Sequence, residues 1–164
     1  MSTVPPSEPS SEPSSGPSSE ASGPSSEPAG PAGAVAAWLR RFLDRHGGTS
    51  GTVHLVDDGG ATMRLAASVN IPDKVLELTA VIPKGRGMGG LAWERGRPVA
   101  TCDLKTDSTG DVRVGARAVD AHAAIAFPLG APVRAVVGIA WKDRAELDDA
   151  QTAAVTADVA DFPA

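Results

Sequence analysis

Residues 123–142, AAIAFPLGAPVRAVVGIAWK, read as two strands, 123–129 and 133–142, joined across Gly130-Ala131-Pro132. Successive side chains of a strand leave on opposite faces. Ile125, Phe127 and Leu129, with Val133, Ala135, Val137, Ile139 and Trp141, therefore share one bulky face. Ala124, Ala126, Gly138 and Ala140 leave the other face slim. The ends of the chain carry Ala34, Ala37, Ala150, Ala154 and Ala157 at helical positions, which suits close approach to a slim surface. The expectation is that the terminal helices lie on the slim face and that the bulky face turns toward an interior cavity.

A second hairpin stands upstream. Residues 52–56 lead through Asp57-Asp58-Gly59-Gly60 into a strand where Met63, Leu65, Ala67 and Val69 alternate with Arg64, Ala66 and Ser68. Asp-Gly favours a primed two-residue turn with positive φ at both centres, so antiparallel pairing is expected. Between the hairpins lie a short helix or turn near 73–78, a Gly-rich loop over 83–90, a helical turn at 91–95 and a strand at 98–102. A polar loop through Gly110 and a helix over 112–121 follow, the helix with Val114 and Ala118 on one side and Arg113 and Arg117 on another.

Two helices frame this core. Val35, Trp38, Leu39, Phe42 and His46 recur at helical spacing from about Gly33 and stop at Gly47-Gly48. A final helix spans about 147–160, opening beside the carboxylates of Asp148 and Asp149, which suit a helix N-terminus.

Composition bounds the rest. The chain has 164 residues and is 41% apolar, room for one ordinary domain, with only 4% aromatic residues and no Tyr. Residues 1–32 are an imperfect Pro-Ser-Ser-Glu repeat with little apolar surface to offset the entropy of ordering, and are expected to remain a mobile tail. The domain is expected over 33–161, with 162–164 as its C-terminal end. Removing the tail's Glu8, Glu12, Glu20 and Glu27 from the 20 acidic residues leaves 16 against 15 basic ones. A near-neutral domain lacks the footprint of nucleic-acid or anionic-membrane binding. One cysteine, Cys102, allows no internal disulfide, and no leader or spanning stretch of 18 apolar residues is seen, so a cytoplasmic location is expected.

The order helix, hairpin, Gly-rich loop with helix, strand, helix, hairpin and closing helix resembles a GAF domain. Three stretches carry the resemblance: VHLVDDGGATMRLAASVN, IPKGRGMGGLAWERGRPVATCDL and FPLGAPVRAVVGIAWKD. The middle one is similar to the family's Gly-x-Gly, apolar residue, Gly, short helix, Gly-x-Pro-Val turn and strand-closing Asp. The resemblance implies an α+β fold, with a six-stranded antiparallel sheet, terminal helices on one face that often pair two chains, and a loop-covered small-molecule pocket on the other.

Candidate ligand-binding residues are Met88, Gly89, Trp93, Cys102, Asp103, Arg113, Arg117, Ile125, Phe127 and Ile139. Trp93 is either core or a surface on which a ligand stacks, and Met88 either fills a gap or lines the pocket. Cys102 has no adjoining basic residue to activate its thiol, and Asp103 either ties down the following loop or meets a ligand. Arg113 and Arg117, four residues apart, form either a solvated face or a pair of guanidinium groups converging on an anion. Gly85-Arg86-Gly87-Met88-Gly89-Gly90 matches a dinucleotide fingerprint, but hairpins flank it where a parallel strand is required, so it reads as a turn into a helix. His46, His54 and His122 show no metal-ligand spacing, and no cofactor is expected.

The GAF-fold enzyme that the chain resembles is free methionine-R-sulfoxide reductase, whose chemistry requires nucleophilic and resolving cysteines. The family's cysteine position after its Gly-x-Gly stretch falls at Gly89, and residues 103–122 contain no cysteine. The signatures of cyclic-nucleotide-binding and bilin-binding members are also absent. The sequence therefore points to a non-catalytic sensing or regulatory module for an unknown small molecule, pairing through its terminal helices and acting on a signalling partner in trans. An interaction module with a collapsed core is the alternative.

Overall fold

In the computed structural model, which describes residues 30–101, 120–144 and 146–163, the two hairpins merge through their inner strands. Strand β1 (Ser50–Val56) lies between β2 (Thr62–Val69) and β6 (Ala135–Trp141). Beyond β2 stands β3 (Val81–Pro83); beyond β6 stand β5 (Ala123–Leu129) and then β4 (Val99–Thr101). The order β3-β2-β1-β6-β5-β4 is antiparallel at every step, giving the expected α+β fold with a six-stranded sheet. Helices α1 (Pro31–His46) and α4 (Asp149–Val159) are the chain-terminal pair; α2 (Asp73–Thr79) and α3 (Gly87–Arg95) join the hairpins. The tail through residue 29 and the expected helix over 112–119 lie outside the described residues.

The expected assignment of faces is reversed. Phe127, Val137, Val53 and Ala67 form one row across β5, β6, β1 and β2, and Ile125, Ile139 and Gly51 form the next. These bulky residues, with Trp141, pack against Val35, Trp38, Leu39, Phe42 and Leu43 of α1 and Val155 and Val159 of α4. The reason is the size of the hydrophobic gain. Burying a Leu, Val or Phe side chain is worth about 1.5–3 kcal/mol, against roughly 0.8 for a single CH₂-sized group. α1 therefore turns its stripe of large residues to the sheet's bulky face, while Ala34, Ala150, Ala154 and Ala157 stay exposed. The slim face is left for α2 and α3.

Polar contacts fix the terminal helices together. The Trp141 indole N–H donates to the His46 carbonyl at 3.0 Å, anchoring the end of β6 to the C-terminus of α1. His46 Nε2 and Arg45 Nη1 converge on Asp158 Oδ2 of α4 at 2.9 and 2.8 Å. α4 opens with a capping box, the Asp148 carboxylate accepting from the Gln151 N–H and the Gln151 side chain accepting from the Asp148 N–H.

Two local expectations are corrected. The first hairpin does not use a primed two-residue turn: Gly60 N–H donates to Asp57 C=O at 2.8 Å and only Gly60 adopts positive φ. The loop is longer, and one left-handed residue suffices to close it. In β2 the strict alternation breaks at a bulge, where Val53 pairs with Ala67 but His54 with Leu65. Met63 thus packs on the slim side, among Ala92, Trp93 and Val136, while Ala67 packs under the terminal helices.

Candidate functional site

The slim face is a floor of short side chains. Its first row is Ser50, Ala140, Ala124 and Thr101 across β1, β6, β5 and β4; its second is Thr52, Gly138, Ala126 and Val99; its third begins with His54 and Val136. Ile71, Val75 of α2, Met88 of α3 and Ala121 cover the Ala124–Ala140 end. Trp93, Ala92, Met63 and Val99 cover the Ala126–Val136 end. Met88 packs against both clusters. Thr52 and Gly138 lie in the two middle strands of the sheet yet stay partly exposed. Packing there is incomplete because residue 138 has no side chain; a Cβ at that position would come within 3.0 Å of Thr52 Oγ1.

Two buried polar side chains belong to this face. Ser50 is 3% exposed, and its hydroxyl has no hydrogen-bond partner among the described residues. His54 is 4% exposed and its Nε2–H donates to the Thr79 carbonyl at 2.8 Å, tying the last turn of α2 to the sheet. A carbonyl only accepts, so Nε2 carries the proton. Burial holds the imidazole below its ordinary pKa, the contact with Thr79 offsetting part of that effect.

Of the residues singled out in the sequence, Met88, Gly89 and Trp93 fall on this side. A Cβ at Gly89 would approach Met63 Cε to 2.9 Å and Val136 Cγ1 to 3.8 Å, so the start of α3 lies close over the floor. Trp93 is 6% exposed and packs within the cover as core, with the Lys84 ammonium 5.4 Å from its ring centroid. Ile125, Phe127 and Ile139 do not line this site: they point to α1 and α4, the consequence of the reversed faces. Cys102, Asp103, Arg113 and Arg117 lie outside the described residues.

The Gly-rich segment is a turn. Gly85 N–H donates to Gly90 C=O at 2.9 Å, Arg86 N–H to Pro83 C=O at 3.1 Å and Gly90 N–H to Arg86 C=O at 3.1 Å, so these amides are consumed internally. Gly85 has φ +76°, and a Cβ at Gly90 would come within 2.6 Å of the Pro83 oxygen. Sequence reasoning missed Ser50, Thr52 and His54. The available signal was the alternation of these polar residues with Gly51 and Val53 along β1.

A GAF-domain family model matches residues 32–158. The chain belongs to the GAF domain family. Solved structures similar to this GAF domain include one from a phosphoenolpyruvate-protein phosphotransferase of Coxiella burnetii, 16% identical with a TM-score of 0.63 over 81% of this chain and 84% of that one. A GAF domain/HD domain protein of Geobacter sulfurreducens is 14% identical with a TM-score of 0.65, covering 80% and 88%. The type II free methionine-R-sulfoxide reductase of Thermoplasma acidophilum is 14% identical with a TM-score of 0.63, covering 77% and 84%. Among curated protein sequences no relative matches. Likeness at these identities establishes the fold alone. Among the described residues of this GAF domain, no helix is long and apolar enough to cross a membrane, and no three His, Cys, Asp or Glu side chains cluster as metal ligands.

Proposed function

We propose that this GAF domain is a non-catalytic small-molecule sensor whose ligand rests on the slim face of the sheet, beneath α2 and α3. The observation that carries this reading is the partly exposed Thr52–Gly138 pair in the middle of an otherwise covered sheet. Large side chains would fill that space at no cost to strand formation; the small ones leave a concave, mostly apolar surface of the kind that holds small ligands. α2 is the element best placed to report occupancy. Val75 is its one buried side chain, and its C-terminus is held by the single His54 contact.

The non-catalytic part of the reading rests on inventory. Reduction of a sulfoxide by cysteine chemistry consumes two thiols, and this chain has one. The test is native mass spectrometry of the purified protein, followed by a thermal-shift screen against metabolites. A retained ligand or a ligand-dependent rise in Tm that Gly138→Val abolishes supports sensing; sulfoxide turnover by the isolated protein contradicts it.

A second reading, an interaction module that pairs with another copy of itself, is favoured by the outward face of α4. Ala150, Ala153, Ala154 and Ala157 are all exposed there at helical spacing, a flat strip that admits close approach of a second helix. Sedimentation of wild type against Ala154→Glu separates the two: a dimer lost in the variant, with no ligand response in either protein, favours this reading.

A further inference from the structure

Resting on the sensing reading above, we propose that the Ser50 hydroxyl is the polar anchor of the site and that the ligand it selects is an uncharged planar amide or lactam. The direction of Ser50 is fixed by its neighbours. A Cβ at Gly51 would point at Leu43 and Leu39 under the terminal helices, so the side chain of Ser50 leaves toward the opposite, slim face. There it shares a row with Ala140 and Ala124, whose surroundings are Ile71, Val75, Met88 and Ala121. A hydroxyl in that setting has lost its water without gaining a partner among the described residues, and such groups are rare in folded proteins unless something else satisfies them.

Shape and charge narrow the class. Gly138, Ala140, Ala124 and Ala126 form a two-by-two patch on β6 and β5, roughly 4.8 Å across the strands and about 6.8 Å along them, the footprint of one flat ring. Thr52, two positions beyond Ser50 and on the same face, offers a second hydroxyl about 7 Å away along the same edge. The charged side chains of the covering helices, Asp73, Lys74 and Glu77 on α2 and Glu94 and Arg95 on α3, belong to exposed residues. The described slim-face residues carry no ionised group, His54 being held neutral by burial. An ionised ligand would lose its hydration with no opposite charge here to replace it. A neutral amide both donates and accepts, matching a serine hydroxyl that does the same.

The test uses the full chain labelled on alanine and methionine methyls, titrated with benzamide, benzoate and cyclohexanecarboxamide. Benzamide should shift the Ala124, Ala126 and Ala140 methyls; the charged ring and the non-planar amide should bind at least about tenfold more weakly. Ser50→Ala should weaken benzamide roughly tenfold while raising the Tm of the free protein by about 4 °C, because the unpartnered hydroxyl is removed. Equal affinity for benzoate, unchanged benzamide affinity in Ser50→Ala, a lower Tm in that variant, or no benzamide response at millimolar concentration overturns the anchor and the ligand class. If those occur while Gly138→Val still abolishes a metabolite response, the floor survives without this inference. Benzamide binding that leaves the three alanine methyls unmoved and ignores Gly138→Val removes both.

Discussion

Gly138 of β6 lies directly opposite Thr52 of β1 in the middle of the sheet, and the space that a side chain at 138 would occupy begins 3.0 Å from the threonine hydroxyl. The missing side chain holds the slim face open. Bulky neighbours on either side in sequence, Val137 and Ile139, point the other way and build the core under α1 and α4. One strand thus serves packing with its odd positions and leaves room with its even ones.

Filling that space is the simplest perturbation. Gly138→Val is expected to retain the fold, since a β-branched residue suits a strand, at an overpacking cost of about 1–3 kcal/mol. It should abolish any ligand-dependent rise in Tm. Circular dichroism checks the fold and thermal shift the response.

Emptying the opposite face has the reverse signature. Phe127→Ala removes a ring that is 1% exposed between the sheet and the terminal helices. Urea denaturation should show a loss of about 3–5 kcal/mol. Ligand response, measured where the variant is still folded, should persist. Ile139→Val should cost about 0.5–1.5 kcal/mol with the same indifference to ligand.

The sequence carried the elements and their order, because periodicity, the Gly47 stop and the Asp148 cap are local signals. Assigning the two faces required a comparison the alternation alone cannot make. Ala34 and Ala154 suggested close helix approach to the slim face, yet Trp38, Leu39 and Phe42 had far more area to remove from water and oriented α1 instead. β2 was misread for a related reason: the bulge opposite Val53 shifts the phase of alternation, so Met63 and Ala67 serve different faces. β3 was invisible as three residues, Val81–Pro83, formed by pairing with β2 rather than by any pattern of its own. The site was half legible. Met88 and Gly89 follow from the Gly-rich segment, but Ser50, Thr52 and His54 become neighbours of Ala140, Gly138 and Val136 only through the register of β1 on β6.

His54 makes stability depend on pH. Its folded pKa lies below the ordinary 6.5, with burial as the main cause. The unfolded chain therefore binds more protons than the folded one between those two values. The contribution is complete above about pH 6.5, is lost as pH falls toward the folded pKa, and levels off below it. Urea midpoints should drop between neutral and mildly acidic buffer, and His54→Gln should flatten that dependence while lowering stability at neutral pH.

The helix clamp titrates in a lower range. Arg45 holds the Asp158 carboxyl below its ordinary value, its hydrogen bond outweighing desolvation, with His46 adding to it. That contribution is present above the ordinary carboxylate pKa and disappears as pH falls through the depressed one. Asp158→Asn should leave the neutral-pH fold intact and reduce the acid sensitivity of α4, read by hydrogen exchange at its last turn.

The slim face as the ligand floor is tested most directly by a methyl spectrum of the full chain recorded with and without a retained or screened metabolite. Shifts concentrated at Ala124, Ala126, Ala140 and Met88, with Ile125, Val137, Ile139 and Leu39 unmoved, are the predicted result. Shifts at the second set with the first unchanged would place the ligand under the terminal helices and contradict the account.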